Sequence, residues 1–304
     1  MAWSVMVNAD DYGLTEGTAR AILRAHRDGV VTATSVLTVA PAFATTARWL
    51  GDAPDLAPGL HLAAVGEDPP LLSAREVPTL VDRRGRFALS SVRLTPRLAL
   101  GRIDPADLER EFQAQHDAFV DAVGRRPSHV DSHHNLHLWP SVAAVVARLS
   151  PRWGVPVVRL PWSRRRAPVG VGVRHLARGL ARRLDGAGLA HPDRYFGIDE
   201  GGQLDTPALL GLVRRLDRGA PPRPGAVVEI AVHPGEPGDA DLDRYPWPGA
   251  RRDAELAGLT APALRAALDR GHHTLVGPEA LPGAGPRASA VPAPAPPAGP
   301  PPGD

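Results

Sequence analysis

The strongest constraint on the fold is a regular alternation of short apolar, β-branched runs with longer amphipathic ones. The runs at 3–9 (WSVMVNA), 33–40 (ATSVLTVA), 59–64 (GLHLAA), 129–134 (HVDSHH), 155–161 (VPVVRLP), 227–234 (VVEIAVHP) and 273–277 (HTLVG) read as strands, with DRYFGI (193–198) as an eighth. They are apolar on both faces, as strands of a covered parallel sheet must be. Helical spacing falls between them, at 15–28, 42–51, 105–122, 140–149, 172–184, 206–217 and 260–270. Thr15, Asp104 before Pro105, and Thr206 before Pro207 are helix start signals. Parallel strands joined by crossover helices give an α/β fold, and seven or eight such units predict a barrel related to the (β/α)₈ type.

The repeating pattern fills residues 1–281, read as one domain, and stops in the Pro/Ala/Gly-rich segment 282–304. That tail has almost nothing to bury and is expected to be disordered. Two inner stretches, 65–103 and 235–256, lack periodicity; the first is long enough to be a lid, a binding loop or a dimer contact.

Composition removes several function classes. With no cysteine there is no disulfide and no thiolate metal site. All 35 basic residues are arginine, which excludes a Schiff-base lysine and a phosphate-loop lysine. The net charge is only +2, and acidic residues intersperse the basic ones. The cluster at 164–184 could meet phosphate or nucleic acid, but it reads as a solvated helix face and loop, so no nucleic-acid partner is expected. No apolar run approaches the ~18–20 residues of a membrane span. The N-terminus lacks a basic and apolar leader, so a cytoplasmic location is expected.

Chemistry-bearing residues gather where strands end. The first strand ends in Asp10 and Asp11, the third carries His61, and DSHHNLH supplies Asp131, His133, His134 and His137. Arg159 lies on the fifth, and EIAVHPG adds Glu229 and His233. In a parallel α/β fold the carboxyl ends of the strands meet at one edge, so these distant residues converge. One carboxylate and two imidazoles suit a divalent cation, and a second carboxylate beside them can take a proton from water. A separate histidine on the far side can protonate a leaving amine, while Asp131 and Glu229 orient the histidines. Each piece also has a plain reading: Asp-Asp as a turn and cap, His61 as a core histidine, HPG as a strand-end turn, and Arg159 as an ion-pair partner.

Taken together, VNADDYGLTEG, GLHL, HVDSHHNLH, VRLP and VEIAVHPG, in that order, resemble the YdjC-like carbohydrate deacetylases, from about residue 3 to about residue 281. The resemblance implies a deformed (β/α) barrel that hydrolyses the N-acetyl group of acetylated amino sugars or their oligomers. It implies one divalent metal, Mg²⁺ by resemblance, with Zn²⁺, Mn²⁺ and Co²⁺ also compatible with the donor set. By motif, Asp11, His61 and His133 correspond to the metal ligands and Asp10 to the general base. His233 corresponds to the histidine that assists the departing amine, and Arg159 to a site-edge residue that orients Asp10 or meets substrate. A homodimer fits the resemblance. The family often reads DSHxHxH, whereas Asn135 stands here in place of the middle histidine. Two rival readings remain at this level: a phosphoesterase-type metal hydrolase, and a metal-stabilised sugar-binding protein without catalysis.

Overall fold

A computed structural model describes residues 2–285. In chain order the elements are β1 (Ser4–Tyr12), α1 (Glu16–Arg27), β2 (Ala33–Val36), α2 (Phe43–Thr46), β3 (Ala57–Leu62), α3 (Ser91–Ala99), α4 (Pro105–Val123) and β4 (Val130–Ser132). They continue with α5 (Pro140–Arg152), α6 (Pro168–Gly186), β5 (Arg194–Phe196), α7 (Thr206–Arg218), β6 (Val227–Val232), α8 (Arg252–Leu259), α9 (Pro262–Arg270) and β7 (Thr274–Leu275). The strands form one parallel sheet in the order β4-β3-β2-β1-β6-β5, with β7 beside the start of β1. This is the deformed (β/α) barrel that the resemblance implies, with helices packed around a curved wall.

The start signals act much as the sequence suggests. Thr15 Oγ1 accepts the Thr18 N–H at 2.9 Å, and Asp104 accepts that of Ala106 at 2.9 Å, each satisfying a donor the first helical turn leaves free. At α7 the cap is Asp205, one residue earlier than expected; its carboxylate accepts the Ala208 N–H at 3.1 Å. The core joins Val5, Val7, Leu60, Val130, Val228 and Ile230 of the strands to Ile22, Phe112, Val145 and Leu180 of the helices.

Three expectations change. Residues 155–161 form no regular strand; Val157 and Val158 make single parallel bridges to Ala190 and Val130. Pro156 and Pro161 bracket the segment and have no N–H to extend a ladder. Residues 65–103 contain α3, hidden from periodicity by its internal Pro96, and 235–256 hold the start of α8. Within the expected tail, 282–304, Ala284 is buried with Leu281, Met6 and Ala57, and residues 286–304 lie outside the described residues. No helix among the described residues is long and apolar enough to cross a membrane.

Candidate active site

The carboxyl ends of the strands open into a cleft of about 450 Å³ whose lining includes Asp10, Asp11, His61, His133, His233 and Trp247. Adjacent residues on a regular strand point to opposite faces, so Asp10 and Asp11 should not both reach it. The β1–β2 register breaks between Ala9 and Tyr12, and Asp11 has φ 68°, in the left-handed region that Asp tolerates better than most residues. This bulge turns both carboxylates to the cleft.

Asp11, His61 and His133 converge, with their ligating atoms all within 4.8 Å of one another. Asp11 Oδ1 lies 3.3 Å from His133 Nδ1 and 3.7 Å from His61 Nε2. His61 is the penultimate residue of β3, and Asp131, its register partner on β4, meets its other ring nitrogen, Nδ1, at 2.7 Å. A carboxylate behind a histidine fixes the ring and leaves Nε2 to face a ligand. His133 enters from the turn after β4, where His134 and Asn135 both take positive φ. The donor set therefore fits a divalent cation. A second acidic group, Asp10, His61 and Asp131, also lies close together. Its centre is already neutralised by Arg159, whose NH1 lies 2.7 Å from Asp10 Oδ2 and 2.5 Å from Asp131 Oδ2.

Arg159 requires a correction. The sequence places it at the site edge, orienting Asp10 or meeting substrate; the structure leaves it 1 % exposed, beneath Asp10, and keeps only the first of these. NH1 and NH2 form a fork on the two Asp10 oxygens at 2.7 and 2.6 Å, and Nε donates to Glu229 Oε1 at 2.7 Å. With its donors taken by carboxylates, Arg159 orients Asp10 and does not reach the cleft. Asn8 Nδ2 adds a bond to Asp10 Oδ1 at 2.7 Å. Glu229 likewise pairs with Arg159 and orients no histidine.

Charge follows from these contacts. Burial opposes ionisation of Asp11, but the His133 bond and the Arg252 charge outweigh it and hold the carboxyl well below its usual range. Burial likewise opposes the imidazolium of His61, yet Asp131 raises its pKa on balance. Burial pushes Glu229 up to about 7 against the pull of Arg159. Burial also drives His134 down to about 3 and His137 down to about 4, so both are neutral. His137 is a floor residue, bound to Ser132 Oγ at 2.6 Å and the Arg159 carbonyl at 3.2 Å.

The raised Glu229 gives a stability prediction. A carboxyl that titrates at about 7 folded and 4.5 unfolded binds more protons in the folded state between those values. Folding stability therefore falls as pH rises through that window, by roughly 1–3 kcal/mol. Urea titrations from pH 4.5 to 7.5 should show this slope in the parent and its loss in Glu229→Gln; parallel curves would refute the assignment.

His233 stands closer to Asp10 than the sequence suggests. Rather than facing it from the far side, its Nε2 lies 3.7 Å from Asp10 Oδ2. The reason is topological: β1 and β6 are adjacent, with Ala9 paired to Val232. The His233 N–H donates to Glu255 Oε2 at 2.6 Å.

Two residues of the site escape sequence reading, and both lie on α8. Glu255 holds the His233 backbone, and Arg252 NH2 donates to Asp11 Oδ2 at 3.1 Å. Their segment, RRDAELAGL, is short and charged, with no motif to single them out. Arg252 leaves Asp11 Oδ1 as the oxygen that faces the histidines. Arg252→Ala is expected to weaken divalent-metal binding about tenfold, because losing the bond that turns Asp11 Oδ1 toward the histidines is expected to outweigh relief of the guanidinium's repulsion of the cation. Calorimetric metal titration checks this, and tighter binding would show repulsion to dominate.

The sequence profile of the YdjC-like proteins matches residues 4–270. The chain belongs to the YdjC-like family. A carbohydrate deacetylase of Geobacillus stearothermophilus is 32 % identical to this YdjC-like chain over 265 residues, 86 % of this chain and 91 % of that protein. A carbohydrate deacetylase of Brevibacillus brevis is 35 % identical over 158 residues, 52 % of this chain and 59 % of that protein, so that match spans under two thirds of the relative's length. Among solved structures, an Enterococcus faecalis V583 protein named for cellobiose-phosphate cleavage superposes with a TM-score of 0.74 at 26 % identity. The alignment covers 92 % of this chain and 98 % of that one, and it bears out the YdjC-like barrel.

Proposed function

We propose that this YdjC-like protein is a metal-dependent hydrolase that removes the acetyl group from N-acetylated amino sugars. The observation that carries the reading is Asp10. Its carboxylate is fixed by the Arg159 fork immediately beside the Asp11–His61–His133 set, yet it is not a member of that set. A ligand site alone does not need such a residue, whereas hydrolysis does. The relatives named carbohydrate deacetylases supply the substrate class.

A divalent cation held by Asp11, His61 and His133 would polarise the acetyl carbonyl and make water more acidic. Asp10 Oδ2 takes one proton from the attacking water as its oxygen bonds to the carbonyl carbon. Each carboxylate oxygen has two lone pairs, so the bond from Arg159 leaves Oδ2 able to accept it. His233 Nε2, 3.7 Å away, receives that proton and passes it to the departing nitrogen as the C–N bond breaks. The products are acetic acid, which keeps the water's second proton until it ionises into solvent, and a free amine, and Asp10 and His233 return to their starting states. Because Arg159 fills the second acidic cluster, the arrangement favours one metal over the pair common in phosphoesterases.

The test is acetate release from N-acetylglucosamine, its phosphate and di-N-acetylchitobiose. Protein stripped with chelator is assayed alone and then with Mg²⁺, Mn²⁺, Co²⁺ or Zn²⁺. Turnover that returns with metal and is absent in His133→Ala supports the reading and names the ion. One tightly bound metal per chain without acetate from any sugar would overturn it in favour of a binding role.

A further inference from the structure

The aromatic side chains near the strand ends fall into distinct groups. Tyr195 is buried, Trp139 and Trp162 pack against the core, and the Tyr245 hydroxyl is bonded to Asp68 at 3.0 Å. Trp247 differs: it lines the cleft and is 39 % exposed, the one aromatic among the large exposed apolar side chains of the described residues. An indole left open inside a cleft is more informative than a buried one.

Its position is fixed from several sides. Pro246 and Pro248 flank it, and its carbonyl accepts the Ala250 N–H at 3.0 Å. The Arg252 guanidinium lies 5.4 Å from the indole centroid, and the His233 ring meets it edge-on at 4.8 Å and 84°. Below it, a Cβ on Gly201 or Gly202 would come within 3.3 Å of Cζ2, so the ring seats on a shelf that glycine keeps open. Gly202 also has φ 75°, which other residues rarely adopt. The ring is held in place before any ligand arrives, which lowers the ordering cost of binding.

We propose that Trp247 is the stacking platform for the pyranose ring that carries the acetamido group. The identity of the ligand as a sugar rests on the function proposed above; the platform itself rests on this geometry. A pyranose presents a C–H face and a rim of hydroxyls. The face suits an indole, and Glu67, Asn135 and Arg165 of the same cleft offer polar partners for the rim. The 4.8 Å spacing to His233 selects which ring stacks. The nitrogen that His233 protonates is a direct substituent of the sugar, so the stacked ring is the one bearing that nitrogen and not a distant unit of an oligomer.

The test compares parent, Trp247→Phe and Trp247→Ala on N-acetylglucosamine, di-N-acetylchitobiose and the ring-free amide N-methylacetamide. Calorimetric binding of the two sugars to metal-free protein runs in parallel, since it needs no turnover. A weakening of sugar binding and a rise in KM of about 3–10-fold in Trp247→Ala is expected. The loss should be equal for the mono- and disaccharide and partly restored in Trp247→Phe. The loss should be larger on the sugars than on N-methylacetamide and fall on KM more than on kcat; an equal loss on all three, confined to kcat, would mean that the substitution acts through His233. Sugar binding unchanged in Trp247→Ala, or a loss seen only with the disaccharide, overturns the platform even where the parent releases acetate. Parent protein that binds sugar through Trp247 but releases no acetate keeps the platform and overturns the deacetylase reading; parent protein that binds neither sugar overturns the platform too.

Discussion

Asp10→Asn is expected to lower kcat by about 10²–10⁴-fold, the range typical of a lost general base, while leaving metal affinity close to that of the parent. The substitution preserves shape, and one amide oxygen can still accept from Arg159. It removes the carboxylate that, in the proposed reaction, takes the water's proton. His61 and Asp11 do not depend on it, because Asp131 holds the first and Arg252 the second from elsewhere. Acetate release under saturating sugar, together with a metal titration of the same sample, decides the point. Full turnover with metal bound would remove Asp10 from the chemistry, and loss of the metal would make it a ligand.

The second large effect is on folding. Arg159→Met should destabilise the protein by about 3–5 kcal/mol near neutral pH, the cost of breaking a buried charge network from one side. Asp10, Asp131 and Glu229 would be left facing one another without their cation. Lysine is no substitute, since a single ammonium cannot reproduce the fork on Asp10 and the separate bond to Glu229. The sign with pH is fixed. In the parent, burial works against the Asp131 anion, but Arg159 and His61 overcome it and depress its pKa far below 3.8. That contribution is present above the unfolded pKa and fades only in strong acid. Without Arg159, burial opposes ionisation of Asp131 and Glu229 with less to offset it, so the variant loses stability as pH rises from about 4. Urea unfolding at pH 4.5 and 7.5 should show the gap to the parent widening at the higher pH. A variant within ~1 kcal/mol of the parent at both values would mean the network contributes little.

Much of the architecture was legible because buried parallel strands leave long apolar runs, and Val5, Val7, Val228 and Ile230 sit in the core as that rule requires. The metal-type set was legible for a related reason: a parallel barrel brings strand ends together whatever their separation in sequence. What escaped depends on contacts between elements. Nothing local distinguishes Arg159, buried among three carboxylates, from an arginine at the rim. Arg252 and Glu255 lie on a helix of eight residues, too short to announce itself by periodicity. The nearness of His233 to Asp10 follows from which strand neighbours β1, and strand order is not written in alternation.

The bulge at the end of β1 has a consequence for how such a protein can change over generations. Below it, Ser4–Ala9 pairs with β6 in unbroken register, so the wall of the barrel does not rely on the irregular residues. Loss of either codon between Ala9 and Tyr12, that of Asp10 or that of Asp11, would restore ordinary alternation and leave a single carboxylate at the strand end. The descendant would keep its fold and retain either the cation or the base. One small deletion thus separates a catalyst from a receptor of the same shape.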